Sequence, residues 1–208
     1  MKPKVTSATR NPLAMKLVQP LTREFEVTVR PIQHPSLSIL SHKHEKEFHS
    51  AIPLIQTNPE EAIKILTALE QRYPAVLPVL NNLISALLSA GQDEEAEIRI
   101  VELYREYPDY IFSKIMYGEY CLLHDKLEEI PKVFRNLWDP KLLYPERNVF
   151  HVSEVTSFVG FVGLYFFAIG DMKLAQEYYE YLYKLAPNNP QTLRMKNVLF
   201  PEIEGYIQ

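Results

Sequence analysis

The segment GDMKLAQEYYEYLYKLAPNNP, residues 170–190, decides the fold that we predict for this chain. It opens with a Gly-Asp turn, continues as a stretch rich in Ala, Tyr and Leu, and stops at Pro-Asn-Asn-Pro. Apolar residues at helical spacing predict an amphipathic helix. A proline marks its end because the residue before a proline disfavours helical backbone angles. Tyr179 and Tyr183 are predicted to face inward, whereas Tyr178 and Tyr181 are predicted to leave their hydroxyls in water.

The same residues recur along the chain at fixed distances. The glycine, alanine, leucine and proline of the quoted segment each have a like residue 79 positions upstream. The alanine, leucine and proline recur 34 positions before those, and Gly118 lies 45 positions before Gly163. Four 34-residue units with an 11-residue insertion before the last explain these distances. The aligned residues are Gly170, Ala175, Leu182 and Pro187, then Gly91, Ala96, Leu103 and Pro108, then Ala62, Leu69 and Pro74.

This repeat resembles a known family of helical arrays. The four units and the insertion span residues 43–76, 77–110, 111–144, 145–155 (the insertion, predicted as a loop) and 156–189. A 34-residue period, with an alanine early in the second helix and a proline after its end, resembles the tetratricopeptide repeat. The resemblance implies an all-α, right-handed α-solenoid of about four helix-turn-helix units. Residues 190–208 are expected to form a C-terminal capping helix, because such arrays must cover their last apolar face.

Small and large residues alternate within each unit as close helix packing requires. The small residues are expected where the two helices of a unit cross: Ala62, Ala96 and Ala175 on the second helix, Gly118 and Gly163 on the first. Unit three has Ile130 in place of the alanine and Pro131 after it, a position tolerated in the first turn of a helix. The large residues predicted to bury against the next unit are Leu66, Leu69, Ile100, Leu103, Phe134, Leu137, Tyr179 and Leu182.

The charges are unevenly distributed along the chain. Residues 1–42, an extended N-terminal arm with a short β-like stretch, hold six basic side chains against Glu24 and Glu26. The remaining residues carry a net charge of −8. An acidic body is a poor binder of nucleic acid, because duplex affinity depends on Lys and Arg neutralising phosphates. The basic arm is expected either to lie on the acidic body or to be a solvated tail.

The sequence holds no recognisable set of catalytic residues. We find no Gly-rich phosphate loop, and Cys121 lies within an apolar stretch where an inert core thiol is expected. His42, Glu45 and His49 share one face of a predicted helix, yet a single helix supplies at most part of a metal coordination shell. We therefore expect no enzyme activity, no cofactor and no metal. A metal-dependent protein that uses these histidines is the least favoured hypothesis.

A cytoplasmic location is expected. The first 20 residues are interrupted by charge and proline and lack the apolar core of a secretory signal. An organellar targeting segment stays open as an alternative, because no acidic residue precedes Glu24. A lone cysteine fits a reducing compartment. The apolar run at residues 158–170 is shorter than the roughly 20 residues a membrane-spanning helix needs, so no membrane span is predicted.

The resemblance also implies a binding surface. In tetratricopeptide arrays the first helices of successive units line a concave groove that takes a peptide or a partner helix. Asn82 matches an asparagine that hydrogen-bonds a ligand backbone in many members. The positions carried over to the groove are Glu47, Phe48, Ala51, Asn81, Asn82, Ser85, Phe112, Ile115, Met116, Glu119, Gly160, Phe161 and Leu164.

This predicted groove is apolar and aromatic with two amides in its middle. The Lys and Asn residues by which some members clamp acidic tails are absent, since Glu47, Ala51, Phe112 and Met116 hold those positions. Such a surface is expected to be covered by a hydrophobic partner segment, by a second copy of the chain, or by the N-terminal arm. The alternative is that these side chains simply pack a closed array.

The function predicted from these features is protein–protein interaction. The first hypothesis is an adaptor or scaffold that binds an apolar peptide in the groove. The alternative is a dedicated bacterial chaperone resembling the repeat-containing secretion chaperones, which are small and acidic and hold an extended client segment. Those chaperones usually have about three units, so a fourth unit and a long arm count against the alternative.

Overall fold

The computed structural model describes residues 24–201, and most of this part of the chain is α-helical. The predicted all-α class is confirmed, with one short pair of strands added. The helices are α1 (His42–Thr57), α2 (Pro59–Arg72), α3 (Leu77–Ser89), α4 (Asp93–Glu106), α5 (Ile111–Leu123), α6 (Ile130–Val133), α7 (Pro140–Leu143), α8 (Val152–Ala168), α9 (Met172–Leu185) and α10 (Pro190–Leu199). A 3₁₀ helix, η1, covers Pro35–Ile39, and the strands are β1 (Glu26–Thr28) and β2 (Val149–His151).

Consecutive helices pack against each other along the chain. Each of α1 to α4 contacts the next helix, and α1 also contacts α3. The helices α6 and α7 have only four residues each, so α5 packs directly on α8. Helix α9 packs on α8, and α10 lies against both of them. The long helices therefore stack in chain order.

The helices α3, α5 and α8 end in the same backbone turn. Each is followed by a residue with positive φ: Gly91 at 71°, Asp125 at 56° and Gly170 at 83°. The next residue then donates its N–H back to a carbonyl five positions earlier, as in Gln92 N to Leu87 O at 2.9 Å, which is the Schellman arrangement. The three turns are 34 and 45 residues apart, the distances seen in the sequence repeat.

The second helix of unit three is broken, contrary to the prediction of one continuous helix. Helix α6 stops after one turn, because Arg135 and Asn136 both adopt positive φ and Asn136 N donates to Pro131 O at 2.9 Å. A new helix, α7, then starts at Pro140, where Asp139 Oδ1 accepts from Lys141 N at 2.7 Å. Asn tolerates the left-handed region, and Asp-Pro is a helix-starting signal. These local signals override the repeat.

The break leaves two backbone carbonyls without a helical hydrogen-bond partner, and a buried side chain bonds each of them. Lys114 of α5 is 3% exposed, and its Nζ donates to Val133 O at 3.2 Å. Burial lowers the pKa of the Lys114 ammonium. The hydroxyl of Tyr178 on α9 donates to Trp138 O at 2.7 Å. Buried carbonyls need such partners, so the broken helix is tied to its neighbours on both sides.

The tyrosine assignments made from the sequence were wrong in part. Tyr178 is fully buried, whereas Tyr183 is 56% exposed. Burial raises the pKa of the Tyr178 hydroxyl above its ordinary value. Tyr178 follows Ala175 by three residues and precedes Leu182 by four, so these three share the core face of α9. The partner of the buried Tyr178 hydroxyl is the Trp138 carbonyl, which lies in the non-helical stretch between α6 and α7.

The apolar side chains form two cores that meet at α5. The first core runs from Leu40 to Leu103, and the second core runs from Ile111 to Leu199. Tyr117 and Tyr120 of α5 pack against both cores. Helix α5 is therefore the shared wall between the two halves of the described chain.

The described part of the arm, residues 24–41, lies on the helices. β1 pairs in parallel with β2, and Val27 stands opposite Phe150. The Phe25 ring meets the Phe150 ring edge-on, with centroids 5.2 Å apart. The insertion 145–155 was predicted to be a loop but supplies β2. The pairing joins segments more than 100 residues apart, so no local pattern announces it.

The arm continues from β1 across to the first core. In η1 the hydroxyl oxygen of Ser36 accepts from Leu77 N at 3.1 Å, at the start of α3. His34 caps η1, since its Nδ1 accepts from Ser36 N at 3.2 Å. Residues 24–41 thus contact both halves of the chain. Residues 1–23, the more basic part of the predicted arm, lie outside the described residues.

Candidate functional site

A cleft of about 660 Å³ opens between α3, α4, α5, α8 and α10. Helices α3 and α5 supply most of its floor, α4 supplies one edge, and α10 closes the opposite end. The lining side chains are Asn81, Ser85, Leu88, Ser89, Asp93, Glu97, Ile100, Phe112, Ile115, Met116, Glu119, Tyr120, Leu123, His124, Ser157 and Gln191. We call this surface the cleft throughout.

The cleft brings together six of the residues assigned to the groove from the sequence. They are Asn81, Ser85, Phe112, Ile115, Met116 and Glu119. All six belong to α3 and α5, where helical spacing alone predicts which positions share a face. The residues from α4 and α10 were missed, because the resemblance assigns only first helices to the groove. Ser157 could have been found, since it precedes Phe161 by four residues on α8 and shares its side of the helix.

Other predicted groove residues lie elsewhere. Phe48, Ala51, Phe161 and Leu164 are buried in the two cores rather than exposed on a surface. The first helix of unit one therefore contributes its apolar face to packing. These four assignments to an open groove were wrong, because neighbouring elements cover the positions.

The contacts of Phe161 explain why its burial was not predicted. Its ring is 0% exposed and stacks on the Phe134 ring with centroids 5.1 Å apart. The tip of the ring, at Cζ, lies against α5 at Gly118, where any Cβ would collide with it. Gly118 was predicted to face the second helix of its own unit. It instead makes room for α8 of the next unit, which packs on α5.

The polar predicted residues outside the cleft have local partners. Asn82 Nδ2 donates to Pro78 O, one turn earlier on α3, at 2.7 Å. Glu47 lies 3.6 Å from Lys43 Nζ on the same exposed face of α1. Gly160 is buried under α10, where a Cβ would lie 3.0 Å from the Gln191 Cβ. Of the two adjacent asparagines, Asn81 rather than Asn82 faces the cleft.

Two side-chain amides of the cleft present unpaired oxygens. Asn81 Oδ1 on α3 and Gln191 Oε1 on α10 are buried and have no hydrogen-bond partner among the described residues. A buried acceptor left without a donor costs about 1–3 kcal/mol. Gly160 leaves the space in which Gln191 packs across α8. Both amides line the cleft, so two acceptors without a donor lie beside it.

The charged groups that line the cleft are acidic. Asp93, Glu97 and Glu119 line it, and no lysine or arginine is among its described lining residues. Glu119 Oε1 accepts from Arg194 Nη1 at 2.6 Å, and Glu97 Oε2 lies 3.0 Å from His124 Nε2. Arg194 offsets the charge of Glu119, so Asp93 and Glu97 are the carboxylates that make the opening negative. A cationic ligand is favoured there and an anionic one is disfavoured.

The floor of the cleft is apolar. Phe112, Ile115 and Met116 of α5 provide it, with Leu88 and Leu123 beside them. Leu123 is 76% exposed, a large apolar side chain left in water at the edge of the cleft. An apolar floor with a few placed polar groups is the usual composition of a binding site.

The histidine-rich start of α1 and the cysteine do not line the cleft. Glu45 Oε1 lies 4.0 Å from His49 Nε2. Within residues 24–201, no three His, Cys, Asp or Glu side chains are grouped so that they could hold a metal ion. Cys121 is fully buried, and burial raises the pKa of its thiol. No helix of this part of the chain is long and apolar enough to cross a bilayer.

The repeated helix ends and the composition of the cleft are the features from which a function can be inferred. Comparisons with protein-family models, with curated proteins and with solved structures found no match.

Proposed function

We propose that the chain is a right-handed solenoid of tetratricopeptide type that serves as a protein-interaction module, an adaptor or scaffold. Three features support the solenoid. The turns at Gly91, Asp125 and Gly170 recur at the repeat distances. Helices α2, α4 and α9 each end with a C-cap residue that directly precedes a proline. Consecutive helices pack in chain order.

We further propose that the cleft binds an extended polypeptide segment. The observation that carries this proposal is the pair of unpaired oxygens, Asn81 Oδ1 and Gln191 Oε1, above an apolar floor. An extended segment presents backbone N–H groups along its edges and side chains on alternate faces. It can therefore donate to both oxygens once the two amide side chains turn toward it, while its apolar side chains contact Phe112 and Met116. A small apolar ligand would leave the two acceptors unpaired.

Peptide selection tests this function directly. A library of random 12-residue peptides displayed on phage is panned on the full chain, and the affinities of the selected peptides are measured by fluorescence anisotropy. The critical variants are Asn81→Leu and its neighbour Asn82→Leu as matched control. We expect Asn81→Leu to weaken binding about tenfold, the equivalent of about 1.4 kcal/mol. Asn82→Leu should change the affinity less than about threefold, because its amide bonds its own helix.

The stability of the two variants distinguishes binding from folding. Asn81→Leu removes an unpaired acceptor, so the free energy of unfolding in urea should not fall. Asn82→Leu loses a hydrogen bond and should be the less stable of the two. Equal loss of peptide affinity in both variants, or no selected peptide at all, would sink the assignment of the cleft.

A further inference from the structure

We infer that residues 1–23 of the same chain occupy the cleft and compete there with protein partners. This inference rests on the proposed function of the cleft as a site for extended polypeptide. It commits to one occupant, a segment that precedes β1 directly. The reasons are the charge of the segment, its side-chain pattern and the short distance between β1 and the cleft.

The charges of the segment and the cleft are complementary. Residues 1–23 contain five of the 22 basic side chains and none of the 26 acidic ones, so the remaining chain carries a net charge of −9. The cleft is lined by Asp93, Glu97 and Glu119 without a lysine or arginine among its described residues. Opposite charges on a tethered segment and a cleft attract over about a Debye length, roughly 8–10 Å at physiological salt.

The side chains of the segment match the floor of the cleft. Residues 13–18 read LAMKLV, in which Lys16 is flanked by apolar residues on both sides. Residues 13–19 lie between Pro12 and Pro20, so every one of them keeps a backbone N–H. Those N–H groups are the donors that Asn81 Oδ1 and Gln191 Oε1 lack. The apolar side chains can contact Phe112 and Met116 while Lys16 lies among the carboxylates.

The segment can reach the cleft. β1 begins at Glu26 opposite Val149, and β2 leads without a loop into α8, where Ser157 lines the cleft. Strand spacing and the rise along β2 and α8 place Glu26 within about 25 Å of Ser157. The ten residue steps from Glu26 back to Lys16 span roughly 33 Å when extended. Lys16 is therefore within reach of the cleft, and the residues before it are as well.

A nitroxide label on the arm tests this contact in the full chain. Met15→Cys is labelled with a nitroxide, and line broadening is measured in ¹H–¹⁵N spectra. Cys121 is fully buried and its thiol pKa is raised, so the introduced cysteine reacts selectively. We expect broadening of the amide signals of Ser85, Met116 and Ser157, and unchanged signals for Lys64 on α2. A cleft whose signals stay sharp would overturn the inference.

A mixed sample separates the chain's own arm from that of a second copy. ¹⁵N-enriched chain without label is mixed with spin-labelled chain of natural isotope abundance. We expect no broadening of the cleft signals in this sample. If the cleft signals broaden in the mixture as they do in the labelled chain, the arm of another copy is the occupant and the inference fails.

A charge variant links the arm to partner binding. Lys16→Glu with Arg23→Glu should release the cleft and tighten the selected peptides by about tenfold, if the arm occupies the cleft nine-tenths of the time. Peptides that bind wild type and variant equally, with sensitivity to Asn81→Leu, would refute occupancy by the arm and leave the peptide-binding function standing. If Asn81→Leu weakens peptide binding neither in wild type nor in the charge variant, the cleft is not the peptide-binding site.

Discussion

Gly118 is the residue on which the junction between α5 and α8 depends. The Phe161 ring lies directly against it, and the Phe134 ring stacks behind Phe161, so the ring has no space to withdraw. The sequence repeat predicted a small residue here for a different contact. The prediction of a small residue was right, because two helices approach closely at this position. The approaching helix is α8, whereas the second helix of unit three was expected.

The sign of the change in unfolding free energy of Gly118→Ala tests this junction. In a free helix, Gly to Ala stabilises by about 1 kcal/mol. Here the added methyl group should overpack the Phe161 ring and lower the free energy of unfolding by about 1–3 kcal/mol, measured by urea denaturation. Gly163→Ala is the matched control. Its Cβ meets the flexible end of Met195, so the loss should be smaller.

A double variant tests whether Phe161 causes the loss of stability expected for Gly118→Ala. Gly118→Ala with Phe161→Leu should lose less stability than the two single changes added together, because the smaller side chain relieves the collision. Additive losses would show that Gly118 is needed for another reason.

At the scale of elements, the ends of the first helices are better predicted than the second helices after them. Gly91 and Gly170 have positive φ, and a Cβ added to either would meet open space, so conformation alone requires glycine there. Asp125 holds the equivalent position after α5 at φ 56°. An L-residue with a side chain is strained in this conformation.

Asp125→Gly should therefore stabilise the protein. We expect a gain of about 1 kcal/mol, seen as a rise in the thermal midpoint of roughly 2–4 °C by circular dichroism. Gly170→Ala at the equivalent turn should lower the midpoint by a similar amount. A lower midpoint for Asp125→Gly would mean that the Asp125 side chain contributes more than its backbone strain costs.

The break in unit three was not predicted, although Asn136 and Asp139-Pro140 are local signals for it. Pro131 was predicted to lie in the first turn of a helix, and it is the second residue of α6. The turn at Arg135 and Asn136 and the restart at Pro140 interrupt the repeat without changing its length. Their stability depends on Lys114 and Tyr178, which come from two other helices.

At the scale of the whole molecule, residues 24–41 link the two cores. β1 adds to β2 beside the second core, and η1 contacts the start of α3 in the first. His34 lies between them in a cavity of about 500 Å³ with Glu106, Asp109, Arg147 and Glu154. Residues 24–41 hold Arg30 against Glu24 and Glu26, so their docking does not test the expectation that a basic arm lies on an acidic body.

His34 makes the docking of the arm sensitive to acid. Burial lowers the pKa of His34, with Glu154 opposing and Arg147 adding to that effect. Its Nδ1 accepts from Ser36 N, which requires that nitrogen to be unprotonated. Because the unfolded chain binds this proton more readily, the His34 contribution is complete above about pH 6.5 and is lost as pH falls through the lowered pKa.

His34→Asn keeps the side-chain cap on Ser36 N and removes the group that binds a proton. Asparagine can accept from Ser36 N without binding a proton, so its unfolding free energy should fall less than that of wild type between pH 7.5 and pH 5. Urea denaturation across this range measures the difference. Parallel pH dependence in the two proteins would rule out His34 as the titrating group.

The sequence by itself determined the helices, most of their ends and the repeat distance. Those features depend on backbone chemistry within a few residues: glycine at a left-handed turn, proline after a helix, apolar residues at helical spacing. The resemblance to the tetratricopeptide repeat assigned the six cleft residues on α3 and α5 to a groove, together with others that lie elsewhere. The all-α class came from the same local signals.

Only the tertiary structure decided which of those faces were buried and which were open. Phe161 left the predicted groove because α8 packs on α5, Gln191 joined the cleft because α10 folds back over α8, and β1 found β2 across more than 100 residues. Burial depends on the surface that a distant segment brings to a position. No pattern within one helix contains that information.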